Sequence, residues 1–250
     1  MRGLVLSLFP GIGLLDMAFE EQGFCVVRGP DLLWGGDVKR FHPPAGRFNG
    51  VIGGPPCQHW STIARIARAR GFRVAEDLIP EYVRCVEEAR PDWFLMENVP
   101  SAPQPNIKGY FSHVTPLNAR WLGSEQNRLR RFTFGSRGDK GTPWRHLDVA
   151  VLEQSWWEPA VLASGMRSTP VRLGGSGKTK KSVNGGVLDK RRPIAESLRL
   201  QGLPETFFEH TPFTMEGRQR MVGNGVPLPM GRAVARAIAA WLDEQMECAS

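Results

Sequence analysis

Hydrophobic and polar positions follow two different patterns along the first hundred residues, one typical of strands and one typical of helices. Four short apolar runs have the length and composition of buried strands: 4–9, 25–29, 50–54 and 92–99. Between them, 13–24 and 75–91 repeat apolar residues at helical spacing and close on a glycine or a proline. Because strand and helix alternate, the pattern predicts an α/β fold with a mostly parallel sheet covered by helices.

The periodicity of hydrophobic positions becomes weak after about residue 137. Residues 174–186 (GGSGKTKKSVNGG) are rich in glycine and lysine, which predicts a loop. Regular structure returns at 192–207, and an amphipathic helix is predicted at 229–246. We therefore predict a large domain built from residues 1–136 and 205–250, with a second, small domain at 137–204 between its two parts.

Charge is unevenly distributed along the chain, whose net charge is +7. Residues 1–100 hold 11 basic and 12 acidic side chains, residues 101–200 hold 17 and 7, and residues 201–250 hold 4 and 6. A basic segment of this kind is expected in a protein that binds a polyanion, although a solvated basic surface would give the same counts.

Composition excludes several classes of protein. The chain is 41% hydrophobic and 23% charged, which is typical of a globular protein, and no apolar run is long enough to span a membrane. Its four cysteines form no CxxC pair and there are only five histidines, so the sequence predicts neither a metal site nor a disulfide framework. A reducing cytoplasm is the expected compartment.

The stretch GGPPCQ (53–58) presents one cysteine in an unusual setting. Each proline fixes its own φ angle and restricts the residue before it, so Cys57 is expected on a rigid loop. That loop follows a strand, at the edge of a parallel sheet where ligands bind. This placement is typical of a nucleophile, whereas Cys25 and Cys85 lie within apolar elements and are expected to be buried.

Other polar residues also follow predicted strands. Glu97 ends a buried strand, where desolvation raises the pKa of a carboxyl and lets it donate a proton. Arg128 and Arg130 lie two residues apart on an extended segment and therefore share a face. Glycines at 11 and 13 form a strand-to-helix turn that a cofactor can approach closely, whereas GSGKT (175–179) lacks the earlier glycine of a phosphate-binding loop.

Taken in order, these stretches resemble the motifs of the DNA cytosine-5 methyltransferases along nearly the whole chain. The resemblance rests on six segments: LFPGIGLLDMAF, GGPPCQ, ENV, QNRLRRFTFG, RPIAESLRLQGLP and MVGNGVPLPMGRAVARAI. It implies the fold of S-adenosylmethionine-dependent methyltransferases, with a mostly parallel sheet and a small target-recognition domain. It also implies methyl transfer from S-adenosyl-L-methionine to carbon 5 of a cytosine in double-stranded DNA, as in restriction–modification, with S-adenosyl-L-homocysteine as product.

The resemblance assigns catalytic roles residue by residue. Cys57 would add to carbon 6 of cytosine, Glu97 would protonate or hydrogen-bond ring nitrogen 3, and Arg130 would hold the carbonyl oxygen of the base. Arg128 belongs to the same implied catalytic set. The base must leave the double helix for this geometry to form.

The resemblance also implies a cofactor site. Phe9 would stack on the adenine, and Asp37 would lie near its amino group. The implied residues are Phe9, Gly11, Gly13, Asp31, Asp37, Val38, Pro55, Asn224 and Val226. The family usually places a glutamate on the ribose after the second strand; the aligned position here is Gly29, and Asp31 is the expected substitute.

DNA contacts are expected from two segments. The stretch 58–73 could close over the phosphate backbone, and the basic loop of the small domain lies further along the chain. The predicted DNA-binding residues are Gln58, Ser61, Arg65, Arg68, Arg70, Lys178, Lys180 and Lys181. Trp144, Trp156 and Trp157 would either contact DNA or form the core of the small domain.

The chain is short for this family. Little room remains for a helix between the second and third strands, or for one after Glu97. We therefore expect a minimal, monomeric enzyme without a metal, compact in the way that virus-encoded enzymes can be, in the cytoplasm of a bacterium or of a virus-infected bacterial host.

Two alternatives remain open at this point. The first is the same chemistry on RNA, as in the branch of the family that methylates tRNA. The second is a catalytically silent DNA-binding homologue, which the missing ribose glutamate favours and an intact Cys57, Glu97 and Arg130 disfavour.

Overall fold

The computed structural model describes residues 2–154, 156–166, 171–172 and 191–248. Its strands are β1 (Leu4–Leu8), β2 (Cys25–Arg28), β3 (Gly50–Gly53), β4 (Trp93–Asn98), β5 (Tyr110–Asn118), β6 (Gln126–Asn127), β7 (Leu129–Arg137), β8 (Trp156–Pro159) and β9 (Val171–Arg172). Its helices are α1 (Leu14–Glu20), α2 (Thr62–Ala69), α3 (Ile79–Ala89), α4 (Ile194–Leu200), α5 (Met215–Asn224) and α6 (Leu228–Glu247).

Six strands form one sheet in the order β2-β1-β3-β4-β7-β5. The first four are parallel to one another, and β7 runs antiparallel between β4 and β5. Short apolar runs with helices between them form such a sheet because both of its faces are covered. The predicted α/β class with a mostly parallel sheet is confirmed, and the carboxyl ends of β1, β3 and β4 meet at one edge.

Two apolar layers hold the sheet. On one face, α1 and α6 cover Trp93 and Phe134, which stack with ring centroids 6.2 Å apart. Gly231 lets these helices approach, since a Cβ there would lie 3.1 Å from that of Ala18. On the other face α3 buries Tyr82, whose hydroxyl donates to the Leu95 carbonyl at 2.9 Å. Burial of this apolar surface is the main stabilising contribution to the fold.

Both helices expected to be missing are missing. Between β2 and β3 the described chain makes only two 3₁₀ turns, Leu32–Trp34 and Val38–Arg40, and residues 99–109 form no helix between β4 and β5. The stretch 58–73 contains α2, which Ser61 caps by accepting from Ala64 N at 3.1 Å.

One cysteine prediction is wrong. Cys85 is buried as expected, but Cys25 is exposed. β2 is the outermost strand of the sheet, so its apolar sequence is not enclosed by a further strand.

The described parts of 137–204 pack on the main core. Trp144 meets the rings of Phe132 and Phe134 at 6.4 and 6.3 Å, and Val161 and Leu198 belong to the same apolar cluster. Their packing makes this region continuous with the sheet, and the domain boundaries at 136/137 and 204/205 stay predictions.

Other predictions for this region have mixed outcomes. Trp157 is 1% exposed, which favours its core alternative over DNA contact. The Trp156 side chain and Lys178, Lys180 and Lys181 lie outside the part of the chain that the structure describes. In the described ranges no helix is long and apolar enough to cross a membrane.

Candidate active site

A cleft of about 520 Å³ opens at the carboxyl ends of β1, β3 and β4. It gathers most of the residues that the motifs single out, although they are spread over more than two hundred positions. Those lining it are Phe9, Gly11, Asp31, Pro55, Cys57, Gln58, Glu97, Arg128, Arg130, Asn224 and Val226. Its volume is within the range of small-molecule sites.

The loop after β3 presents Cys57 rigidly. A Cβ on Gly54 would lie 3.2 Å from Oε2 of Glu97, so the loop passes close against this carboxyl. Asn98 Nδ2 donates to the Pro55 carbonyl at 3.0 Å and fixes the loop from the neighbouring strand. Cys57 then begins the 3₁₀ turn Cys57–His59, at the wall of the cleft.

Burial sets the protonation of the thiol and of the carboxyl. Desolvation raises the pKa of Cys57, although the Arg130 charge opposes this. Desolvation likewise raises the pKa of Glu97, although Arg130 Nε lies 2.9 Å from its Oε1. Both groups therefore keep their protons to higher pH than exposed counterparts, and Glu97 is suited to act as a proton donor.

Arg128 is held differently from Arg130. Its guanidinium donates to the carbonyls of Val161, Gly223 and Gly225 at 2.8, 2.9 and 3.1 Å. Burial lowers the pKa of Arg128 to about 9. Both arginines line the cleft, as their spacing predicts. Arg130 contacts the carboxyl of Glu97, whereas Arg128 bonds to backbone carbonyls of two chain segments that are distant in the sequence.

The turn after β1 forms the other end of the cleft. Phe9 has a φ of 57°, a conformation that is rare for a bulky residue and is typical of functional constraint. The Gly11 amide donates to Asp31 Oδ2 at 2.9 Å, and Leu33 N donates to Oδ1 at 2.8 Å. Asp31 thus caps the turn Leu32–Trp34 and also lines the cleft.

Three predicted cofactor residues do not line this cleft. Asp37 caps the turn Val38–Arg40 by accepting from Lys39 N at 3.0 Å, and Val38 is buried in the core beneath α3. Gly13 precedes α1 with a φ of 78°. Their roles toward a cofactor stay predictions.

The predicted DNA-binding residues of 58–73 are mostly accessible. Arg65 and Arg70 are exposed on and after α2, and Gln58 lies at the rim of the cleft. Arg68 is exposed but engaged within the loop, since its Nη2 donates to the His59 carbonyl at 3.1 Å. Ser61 serves as a helix cap.

Two residues of the cleft wall were not singled out as site residues from the sequence. Asp16 is fully buried, accepts from Ser7 Oγ at 2.5 Å and pairs with Arg28 Nε at 3.1 Å, while burial raises its pKa. Arg220 also lines the cleft, from α5. A polar position on an amphipathic helix indicates only a solvent-facing side, so neither residue stood out.

Within the described residues, no group of three or more His, Cys, Asp or Glu side chains could hold a metal ion. The reactive side chains that line the cleft include the thiol of Cys57, the carboxyl of Glu97 and the guanidinium groups of Arg128 and Arg130. A positioned thiol beside a proton donor is suited to nucleophilic attack on an electron-poor ring.

Comparison with known proteins finds curated relatives along nearly the whole chain. The type II methyltransferase M.FnuDI of Fusobacterium nucleatum is 27% identical over 333 residues, covering 96% of this chain and 95% of the relative. M.NgoPII of Neisseria gonorrhoeae is 25% identical, covering 96% of both. Because these alignments span 333 positions and the chain has 250, the relatives carry insertions that it lacks.

A solved structure shares the fold. A protein encoded within an E. coli prophage superposes with a TM-score of 0.60 at 18% identity, covering 96% of this chain and 99% of that one. The sequence profile of the C-5 cytosine-specific DNA methylases matches residues 36–182. The chain belongs to the C-5 cytosine-specific DNA methylase family.

Proposed function

We propose that this chain transfers a methyl group from S-adenosyl-L-methionine to carbon 5 of a cytosine flipped out of double-stranded DNA, with Cys57 as the nucleophile. The observation that carries the proposal is the composition of one cleft. Its wall holds a thiol on a rigid loop, a buried carboxyl paired with Arg130, and a glycine turn facing the Asp31 carboxylate.

Residues at the glycine-turn end of the cleft fit the cofactor. Phe9 offers an aromatic face for adenine, and Asp31 keeps lone pairs for ribose hydroxyls beyond its two backbone bonds. Asn224 and Val226 close the cleft from the C-terminal segment. When bound, S-adenosyl-L-methionine supplies an electrophilic methyl group on a sulfonium centre.

The residues near Cys57 would activate the base. The Cys57 thiol first loses its proton to water, because the thiolate is the nucleophile. Its sulfur then forms a bond to carbon 6, and the electrons of the ring double bond move to carbon 5. Glu97 holds a proton at ring nitrogen 3, which draws charge away, and Arg130 fixes Glu97 in place. Once carbon 5 is methylated it loses its proton to water, and the sulfur–carbon bond breaks, which restores the double bond and the thiolate.

Replacement of the nucleophile tests the proposal. Cys57→Ser should abolish methylation measured by tritium transfer from labelled cofactor while the circular dichroism spectrum is retained. Cys25→Ser is the matched control and should methylate normally, because Cys25 is exposed on β2. DNA containing 5-fluorocytosine should form a covalent adduct with the wild type and with Cys25→Ser, but not with Cys57→Ser. A Cys57 variant with wild-type rate would refute the mechanism.

The substrate and setting are part of the same proposal. The relatives are named type II methyltransferases and come from bacteria, which supports duplex DNA as the partner and a bacterial or phage-infected cytoplasm as the site of action. We expect a monomer. Duplex DNA should outcompete tRNA as methyl acceptor, and preference for tRNA would favour the RNA alternative. Calorimetry that shows no cofactor binding would favour the silent homologue.

A further inference from the structure

A second cavity adjoins the candidate active site. It has a volume of about 660 Å³ and lies between α5 and the segments 163–165 and 191–194. The cleft and this cavity share two lining residues, Gln58 and Arg220. These two side chains therefore stand at the passage from one space to the other.

The charge of this cavity is suited to an anion. Its described lining includes Arg191, Arg192 and Arg220 and a single carboxylate, Glu216. Arg192 is buried, and its charge is matched by Glu158 at 3.4 Å and Glu196 at 3.7 Å, so the accessible positive charge of the described lining comes from Arg191 and Arg220. Arg220 lies on the surface of α5 with its side chain 65% exposed and can move toward a ligand.

Cytosine seated against Cys57 leaves its sugar and phosphate outside the cleft. The base occupies the space between Cys57 and Glu97, so the backbone of the flipped nucleotide must pass the rim. On the side of α5, that rim is formed by Gln58 and Arg220, and the adjoining cavity has room for the sugar–phosphate. Arginine is well suited to bind a phosphate with two parallel hydrogen bonds.

We propose that Arg220 binds a phosphate beside the flipped cytosine, and that Glu216 competes with that phosphate in the DNA-free protein. Arg220 Nη2 lies 3.3 Å from Glu216 Oε1, one helical turn away, and both side chains are more than half exposed. An exposed pair of this kind is weak, so a phosphate can displace the carboxylate. The inference rests on the proposed function, because it requires a flipped base in the cleft.

Paired substitutions test this inference. The first pair is Arg220→Ala and Glu216→Gln. The matched control pair is Arg232→Ala and Glu21→Gln. Arg232 of α6 and Glu21, which follows α1, form a surface ion pair at 2.6 Å, and neither residue lines the cleft or the adjoining cavity. Binding of a labelled duplex is measured by anisotropy over a range of salt concentrations, with thermal denaturation as the check on folding.

Arg220→Ala should weaken DNA binding roughly tenfold and reduce the slope of log K against log salt by about 0.9, because one phosphate contact is lost. Glu216→Gln should tighten binding at least about twofold, because the competing carboxylate is gone. The control pair should change neither value. An unchanged slope in Arg220→Ala, or weaker binding in Glu216→Gln, would overturn the inference.

A second readout separates this inference from the proposed function. Bisulfite sequencing of DNA from cells expressing the wild type identifies the target, and 2-aminopurine placed there reports base flipping. Arg220→Ala should lower the fluorescence rise and increase KM for DNA more than it decreases kcat. If the wild type methylates no DNA, the proposed function fails, while the salt slopes still decide whether Arg220 contacts phosphate.

Discussion

Replacement of Arg128 by methionine is the most demanding test of how the cleft is assembled. The side chain lies just before β7 and is 2% exposed. Its three donated bonds join a segment before α4 to the end of α5 and to Gly225. Gly223 and Gly225 flank Asn224, so we expect Arg128 to act as a positioning residue for the C-terminal wall of the cleft.

The expected loss of stability is a difference of two large contributions. Hydrogen bonds from a charged group are worth about 1.5–3 kcal/mol each, so losing three costs roughly 4–9 kcal/mol. Against this, a pKa lowered from an ordinary value of about 12.5 to about 9 corresponds to about 5 kcal/mol of unfavourable charge burial, which methionine relieves. Arg128→Met should therefore destabilise the protein by only about 2 kcal/mol.

Urea denaturation and cofactor calorimetry check this expectation together. Arg128→Met should remain folded but bind S-adenosyl-L-methionine at least tenfold more weakly. Arg131→Met is the matched control. Burial also lowers the pKa of Arg131, but its Nε and Nη2 have no hydrogen-bond partner, so its replacement should be neutral or stabilising. Unchanged cofactor affinity in Arg128→Met, or an equal loss of stability in Arg131→Met, would refute the reasoning.

Three further predictions follow from single contacts. Gly223→Ala should lower the free energy of unfolding, measured in urea, by at least about 2 kcal/mol, because its Cβ would lie 2.3 Å from backbone atoms of Leu162 and Ala163. Stability near that of the wild type would contradict this packing. The rate of Cys57 alkylation by iodoacetamide, measured by mass spectrometry, should increase up to and beyond pH 9, because burial raises the pKa of the thiol. Glu97→Gln should increase the alkylation rate at pH 8, because the Glu97 charge also raises the pKa of Cys57, whereas a rate that levels off near pH 7 would exclude a raised pKa. Asp31→Ala should weaken cofactor binding about tenfold by calorimetry, and an unchanged dissociation constant would remove Asp31 from the site.

The central chemistry could be predicted because it depends on local sequence and a simple topology. Cys57 follows β3, and Glu97 lies at the carboxyl end of β4. The two strands are parallel neighbours with Ile52 opposite Leu95. Residues that end adjacent parallel strands must meet at the same edge of the sheet. The prolines before Cys57 and the buried run before Glu97 were sufficient to indicate a presented thiol and a desolvated carboxyl.

The partners of Arg128 could not be predicted in the same way. Its bonds reach backbone carbonyls 33, 95 and 97 positions further along the chain, and a carbonyl carries no signature in a sequence. The prediction that Cys25 is buried was wrong for a related reason. An apolar strand looks the same at the centre and at the edge of a sheet, and only the strand order places β2 outermost.

The short connection between β2 and β3 explains how Asp31 can reach the cleft. Without a helix after β2, the chain turns at once into Leu32–Trp34, and Asp31 caps that turn. The same carboxylate accepts from the Gly11 amide, which fixes it beside the glycine turn after β1. Trp34 Nε1 donates to the Gly11 carbonyl at 2.8 Å, so both backbone polar groups of Gly11 are bonded to the segment Asp31–Trp34. The absence of a helix from this described connection thus leaves the Asp31 carboxylate fixed beside the glycine turn that follows β1.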